Sequence, residues 1–308
     1  MRAAVCTRYG PPEVMQVRQV RKPNPRRKDV CTRVHSAALT TSDTRIRGLV
    51  YPRRLRLILR AVVGIRAPRR VMGLVLSGVV ESVGSSVTRF KPGDQVFGFD
   101  SRFRFGAHAE YACWPENDLL ALKPVNLTHD EAAAVPYGGL MATFFLRRAG
   151  LKSGQRVAVF GASGANGTAA VQLARLAGAT VTAICSARNW GLVQSLGANS
   201  CIDYTVEDFT LSAARYDVVL DAVGSLKHPP SREAVARVLS PVGVYVSVDE
   251  VSPRFTQADL EELAGLCAAG SFRPVIDRIY PLEQIADAHA YVDQGHKRGN
   301  VILTISSG

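Results

Sequence analysis

A run of small residues, Gly161-Ala162-Ser163-Gly164-Ala165-Asn166-Gly167, separates an apolar segment, Arg156-Val157-Ala158-Val159-Phe160, from a helix-forming one, Thr168-Ala169-Ala170-Val171-Gln172-Leu173-Ala174. Glycines in a strand-to-helix turn let backbone N–H groups approach a diphosphate, and the helix N-terminus stabilises its negative charge. The spacing is GxxGxxG, not the commoner GxGxxG, so the motif takes its meaning from the strand before it and the helix after it. The plain alternative is a structural turn. Read as a ligand site, it supplies Gly161, Ser163, Gly164, Ala165, Asn166 and Gly167 to a dinucleotide.

About 20 residues after such a turn, an NAD-selecting unit places Asp or Glu on the ribose 2′-hydroxyl. Here the second strand, Thr180 to Ile184, runs into Cys185-Ser186-Ala187-Arg188-Asn189, where no carboxylate stands. Ser186 can donate one hydrogen bond to a 2′-phosphate. Arg188 can donate a charge-assisted one of about 1.5–3 kcal/mol before solvent screening. The pattern favours NADPH over NADH; the alternative for Arg188 is an ordinary surface arginine. Tyr204, after the strand Ser200 to Asp203, and Val223, after Asp217-Val218-Val219-Leu220-Asp221, fall at strand ends where contacts to the cofactor edge belong.

The elements that must position these residues change character along the chain. Residues 1–125 alternate short β-type runs (Arg2 to Cys6, Asp29 to Ala37, Gly78 to Val83, Gln95 to Phe99, Ala109 to Cys113) with turn signals such as Pro92-Gly93-Asp94. That is a β-rich lobe. From Thr128 helix and strand patterns alternate, as βαβ units of a parallel sheet do. After the helix Ala258 to Ala269 the texture is mixed again and ends in the strand Asn300 to Ile305. The division predicted is 1–125 with 271–308 as one domain and 126–270 as the other.

The 308 residues, 47% hydrophobic and 21% charged, suffice for two domains with real cores. No window of about 18 apolar residues occurs, and the N-terminus enters a strand without a leader pattern, which reads as a cytoplasmic protein. The six cysteines form no CxxC pair and read as buried free thiols, with neither a disulfide framework nor a zinc knuckle. Much of the +12 net charge lies between Arg45 and Arg70, where arginines interleave with Leu55, Leu57, Ile58, Leu59, Val62 and Val63. This reads as an amphipathic helix or lid with a basic face. It is either a solvated face or a docking surface for an anionic partner such as an acyl carrier, an acyl-CoA or the cofactor. Nucleic acid is disfavoured, because no aromatic interleaving or recognition motif accompanies the charge.

With the glycine turn in its setting, Val135-Pro136-Tyr137-Gly138-Gly139-Leu140 upstream, Phe90-Lys91-Pro92-Gly93-Asp94-Gln95-Val96-Phe97-Gly98 before that, and Arg273-Pro274-Val275-Ile276-Asp277 and Gly299-Asn300-Val301-Ile302-Leu303 near the end, the sequence resembles the medium-chain dehydrogenase/reductase superfamily. Its nearest likeness is the zinc-free quinone oxidoreductase and enoyl reductase branch. The resemblance implies an α/β protein: a GroES-like β-rich catalytic domain plus a Rossmann domain with a doubly wound parallel sheet, hydride passing from nicotinamide to substrate in a cleft between them. It also implies a cofactor role for Asn300. The stretches matching the zinc ligands of the superfamily's alcohol dehydrogenases read Thr40-Thr41-Ser42-Asp43, Gly73-Leu74-Val75 and Pro136-Tyr137-Gly138, which supply neither thiolate nor imidazole, so no metal is expected. Two departures stand out. Met141 takes the place of a Thr usual near the nicotinamide, and the segment after Glu250, which carries dimer contacts in relatives, is short.

Without a Lewis acid for a developing alkoxide, reduction of a conjugated C=C bond or a quinone is favoured over alcohol oxidation, because the substrate's own carbonyl spreads the charge. The substrate class is an enone, enoyl thioester or quinone. Tyr51, after Gly48-Leu49-Val50, and Tyr137, at a former metal-ligand position, are the proton-donor candidates, with packing or substrate shaping as the alternative for each. The runner-up functions are a reductive cyclase or polyketide-type reductase served by an acyl carrier, and a non-catalytic NADPH-binding interaction protein.

Overall fold

The computed structural model describes residues 1–68, 71–224, 229–250 and 252–306. Arg69 and Arg70 of the basic segment lie outside them. The chain forms two compact units, Met1–Pro136 with Thr256–Ala268 and Ile276–Gly308, and Tyr137–Phe255 with Ala269–Val275.

The first unit begins with β1 (Arg2–Cys6) and β2 (Met15–Gln19), an antiparallel pair. Then come β3 (Asp29–Leu39), α1 (Thr41–Gly48), α2 (Arg53–Val63), β4 (Val75–Val83), β5 (Gln95–Phe99), β6 (Tyr111–Pro115), β7 (Leu119–Leu122) and α3 (His129–Ala134). The eleven-residue β3 is buried almost throughout and organises the unit: β4, β6 and, after the chain has returned, β14 all pair with it antiparallel. α1 starts at a full capping box. Thr40 Oγ1 accepts from Asp43 N, and Asp43 Oδ2 accepts from Thr40 N at 2.9 Å and from Thr40 Oγ1 at 2.6 Å.

The basic segment is not one helix. Leu49, in the left-handed region (φ 52), closes α1, and α2 begins after Pro52. Nor is its charge all solvated: Arg47 is buried and its Nη2 donates to Asp293 Oδ2 at 2.5 Å. On α2, conversely, Leu57 and Ile58 are exposed beside Arg56 and Arg60.

The second unit contains α4 (Pro136–Arg148), which starts on the first unit's last residue, then β8 (Arg156–Phe160), α5 (Ala165–Leu176), β9 (Thr180–Ile184), α6 (Trp190–Ser195), β10 (Ser200–Ile202), β11 (Tyr216–Asp221), α7 (Arg232–Ala236) and β12 (Leu239–Ser247). The strands form a parallel sheet in the order β10-β9-β8-β11-β12. From β8 the chain steps outward to β10, then crosses back to β11 on the other side. Right-handed crossovers in opposite directions put their helices on opposite faces, which is the doubly wound Rossmann pattern with its switch point between β8 and β11. Phe160, Ile184, Phe209, Tyr216, Val219, Val235 and Val238 form a core cluster here, each large apolar side chain contributing on the order of 1.5–3 kcal/mol.

The chain then adds α8 (Gln257–Ala268), β13 (Ile276–Pro281), α9 (Ile285–Asp293) and β14 (Asn300–Thr304) to the first unit. The unit boundaries therefore differ from the 126–270 division. α3 packs on β3, β4 and β14, and α8 packs on β7, where Gln257 Nε2 donates to Leu120 O at 2.9 Å. β2, β7 and β13 escape the sequence reading because they are short and lack clean alternation between buried and exposed positions.

Candidate active site

Gly161 follows β8, Ser186 follows β9, Tyr204 follows β10 and Val223 follows β11, so a parallel sheet delivers all four to the same C-terminal edge. Gly161 has φ +76, and a Cβ there would lie 2.3 Å from Val223 Cγ1. Gly167, inside α5, is tighter still: its Cβ would meet Gly161 O at 2.2 Å and Ala162 Cα at 2.6 Å, all backbone. These two glycines let α5 sit directly on the turn. Gly164 is different, for a Cβ there meets only Gly161 O, at 3.6 Å. It is also the N-cap of α5 and contributes no side-chain cap bond, so the first-turn N–H groups, from Ala165 onward, are positioned for an external anion.

Around this turn the polar side chains are organised from behind. Asn189 is buried, and its Nδ2 donates to Ser163 Oγ at 3.0 Å and to Ser186 Oγ at 3.2 Å. Both serines accept from it, which leaves each hydroxyl proton to be donated elsewhere. The sequence reading passed over Asn189, although it stands in the same pentapeptide as Ser186 and Arg188. Asp221 does the corresponding work across the switch point: its Oδ1 accepts from Val223 N and Gly224 N at 3.0 Å each, and its Oδ2 from Ser247 Oγ at 2.7 Å. Asn166 Nδ2 reaches Ala222 O at 3.4 Å. The Oδ1 atoms of Asn166 and Asn189 are buried without a protein partner among the described residues. A bare helix N-terminus, two prepared hydroxyl donors and two orphaned amide oxygens fit a phosphorylated, hydroxylated ligand of the dinucleotide kind.

Arg188 is exposed, and Tyr204, 44% exposed, packs its ring edge-on to Phe160 with centroids 5.9 Å apart. One carboxylate escaped the sequence reading. Asp203, directly after β10, accepts from Thr205 Oγ1 and N at 2.7 and 2.9 Å and from Ala187 N at 2.9 Å, bonds that hold its carboxyl below the usual range. It braces the turn carrying Ser186 and Arg188, and it sets a negative charge beside that turn.

Tyr137 is half-buried at the start of α4. Its neighbour Gly138 touches α5, since a Cβ there would lie 2.4 Å from Ala165 O. The structure thus ties Tyr137 to the glycine turn within one unit. Met141 follows one helical turn later and is half-buried. Tyr51 and Asn300 belong to the first unit. Tyr51 is half-buried with the Arg45 guanidinium 5.0 Å from its ring centroid, and its carbonyl accepts from Arg56 Nε at 2.7 Å. Asn300 is buried at the start of β14.

Of the stretches matching the alcohol dehydrogenase zinc ligands, the first contains one carboxylate, Asp43, whose Oδ2 is committed to the α1 cap. Hydroxyls and a capping carboxylate are a poor donor set for zinc. Among the described residues no group of three or more His, Cys, Asp or Glu could hold a metal ion, and no helix is long and apolar enough to cross a membrane.

Residues 26–124 match the family model described as alcohol dehydrogenase GroES-like domain, and residues 196–256 and 250–303 match that described as zinc-binding dehydrogenase. The chain is 30% identical to the mitochondrial NAD(P)H oxidoreductase RTN4IP1 of Mus musculus, over 99% of this chain and 89% of that protein. It is 36% identical to 2-methylene-furan-3-one reductase of Solanum lycopersicum, over 76% of this chain and 63% of that one. Among solved structures, the quinone oxidoreductase from Coxiella burnetii superposes with a TM-score of 0.88 at 28% identity, covering 99% of both chains.

Proposed function

Since this chain belongs to the medium-chain dehydrogenase/reductase superfamily, as a quinone oxidoreductase-like oxidoreductase with GroES-like and Rossmann domains, we propose that it is a zinc-independent, NADPH-dependent reductase of conjugated C=C bonds or quinones. The observation that carries the proposal is the turn Gly161–Gly167, with Ser163 and Ser186 both prepared as donors by Asn189. The names of the relatives, an NAD(P)H oxidoreductase, a furanone reductase and a quinone oxidoreductase, support the nicotinamide cofactor and the substrate class. The reduced nicotinamide, when bound, supplies a hydride to an electron-poor carbon.

The protein's own residues do the rest. N–H groups at the start of α5 hold the diphosphate, and Ser186 and Arg188 hold the 2′-phosphate, with the charge of Asp203 offset by the guanidinium. Tyr204 and Val223 flank the cofactor edge, and Asn300 keeps the cofactor role that the resemblance implies. The α-carbon or oxygen of the substrate takes its proton from water or a tyrosine. Tyr137, whose helix touches α5, is the first choice, and Tyr51 the second. Zinc independence rests on the donor chemistry of Thr40 to Asp43 and its neighbours. The cytoplasm is the proposed compartment, in keeping with free cysteines, of which Cys113 and Cys201 are only half-buried, unlike the wholly buried thiols expected.

The test is a panel of enones, enoyl thioesters and quinones with NADPH, followed by loss of the reduced-nicotinamide absorbance, with and without a zinc chelator. Turnover that survives the chelator is expected. Quenched NADPH fluorescence without oxidation would instead mark a non-catalytic binding protein, and loss of turnover with chelator would overturn zinc independence. Tyr137→Phe and Tyr51→Phe separate the donors: the true one loses about 10²-fold or more in kcat, and unchanged turnover removes that tyrosine from the mechanism. A second reading, an acyl-carrier-served reductase, is favoured by α2, where exposed Leu57 and Ile58 lie among arginines.

A further inference from the structure

Cys31 in β3 and Cys113 in β6 are register partners on adjacent antiparallel strands. The phase of the ladder follows from its backbone bonds. Val34 N donates to Glu110 O and Glu116 N donates to Lys28 O, each at 2.9 Å, so the 34/110 and 28/116 pairs are hydrogen-bonded ones. Pair types alternate, and 31/113 lies an odd number of steps from both, which makes it a non-hydrogen-bonded pair. In such pairs the Cα atoms stand about 4.5 Å apart with side chains at their closest, inside the span of about 4.4–6.8 Å that a disulfide bridges.

Each thiol acts on the other across the pair, which pulls Cys31 down and pushes Cys113 up. Lys22 lies near both sulfurs, held by Glu81 at 2.5 Å and by the Tyr111 ring at 3.7 Å, but Glu81 outweighs its charge at Cys31 and Asp29 does so at Cys113, so the lowering at Cys31 comes from the partner thiol. The pair therefore gives up its first proton more readily than an isolated thiol, with the remaining proton between the two sulfurs. Cys31 is sealed in the sheet, whereas Cys113 is half-buried, its Sγ 3.7 Å from Pro23 O. Cys185 and Cys201 offer the contrast. They sit at neighbouring parallel strands, but the register partner of Cys201 is Ala183.

We propose that Cys31 and Cys113 are a thiol–disulfide exchange site, closing into a reversible cross-strand disulfide at the expense of a low-molecular-weight disulfide of the glutathione type. The half-buried Cys113 Sγ attacks one sulfur of oxidised glutathione as its proton passes to the Cys31 thiolate, forming a mixed disulfide and releasing one glutathione thiolate, which takes up the proton the pair had lost. Cys31 then attacks Cys113 Sγ, the mixed disulfide breaks, and the second glutathione leaves with the proton from Cys31. The two protein thiols are oxidised and one glutathione disulfide is reduced to two thiols.

The test exposes the reduced, full-length protein to excess oxidised glutathione at neutral pH, then alkylates and maps the peptides. The expected result is a cross-linked peptide joining Cys31 to Cys113, with no glutathione retained there, reversal by dithiothreitol, and a higher Tm for the oxidised form. In Cys31→Ser, glutathione should stay on Cys113, because nothing resolves it. Alkylation of both cysteines after exposure, glutathione retained on Cys113 of the unaltered chain, or a cross-link through Cys185 and Cys201 instead would each overturn the proposal, and these readouts do not depend on the variant folding.

Discussion

In the second unit, polar groups without protein partners gather at the open end of a sheet, around the N-terminus of α5, where Asn166 Oδ1 and Asn189 Oδ1 stand beside backbone turns that glycine keeps bare. In the first unit the corresponding groups are sealed inside. His108 Nδ1, both ring nitrogens of His289 and two guanidinium nitrogens of Arg47 are buried among β1, α1, α9 and the segment before β6, and Asp293 answers Arg47 with a charge. The same kind of unmet polarity thus has two consequences. Where it opens outward from a helix end it forms the proposed binding site, and where it is enclosed it is a cost to stability that pH can modulate.

The contrast breaks first at Gly167. Replacing it with Val forces a side chain into Gly161 O and Ala162 Cα, backbone that cannot step aside. We expect nicotinamide nucleotide binding to fall by 100-fold or more on the scale where about 1.4 kcal/mol is tenfold, and Tm to drop as overpacking costs about 1–3 kcal/mol; calorimetric titration and thermal melting check both.

The enclosed cluster makes the next largest prediction. Burial holds His289 well below its ordinary value, with the charges of His108 and Arg47 adding to the effect. Burial also pushes His129 down to about 4, and its stacked neighbour His35 is lowered for the same reason. In each case the unfolded chain binds a proton that the folded one refuses. Stability is therefore full above pH 6.5 and falls as pH drops from there toward the folded values, by up to about 1.4 kcal/mol per pH unit for each histidine. His289→Leu should flatten that slope without loss at neutral pH, as denaturant midpoints across pH 4–7 would show. An unchanged slope would mean that His289 is already satisfied.

Asn189→Ala sharpens the other side. It leaves the turn intact but removes the group that orients Ser163 and Ser186. NADPH binding should weaken by about five- to tenfold, with melting temperature nearly unchanged. Equal losses in binding and stability would make Asn189 a packing residue.

What could be read from the sequence follows the same division. The glycine turn, its strand and its helix lie within twenty residues, and local spacing is enough to name them. Asn189 was missed because it matters through two hydroxyls on separate segments. Asp203 was missed because its bond to Ala187 N depends on β9 and β10 lying side by side. Cys31 and Cys113 looked scattered because only the register of β3 against β6 makes them partners. Arg47 looked like one more solvated arginine until α1 was placed against α9.

The proposed preference for NADPH turns on Ser186 and Arg188 gripping a phosphate that NADH lacks. Parallel fluorescence titrations with NADPH and NADH, repeated on Arg188→Ala, test it directly. NADPH should bind at least about tenfold tighter, and the variant should lose most of that margin while leaving NADH alone. Tighter binding of NADH, or a margin that survives the loss of Arg188, would contradict it.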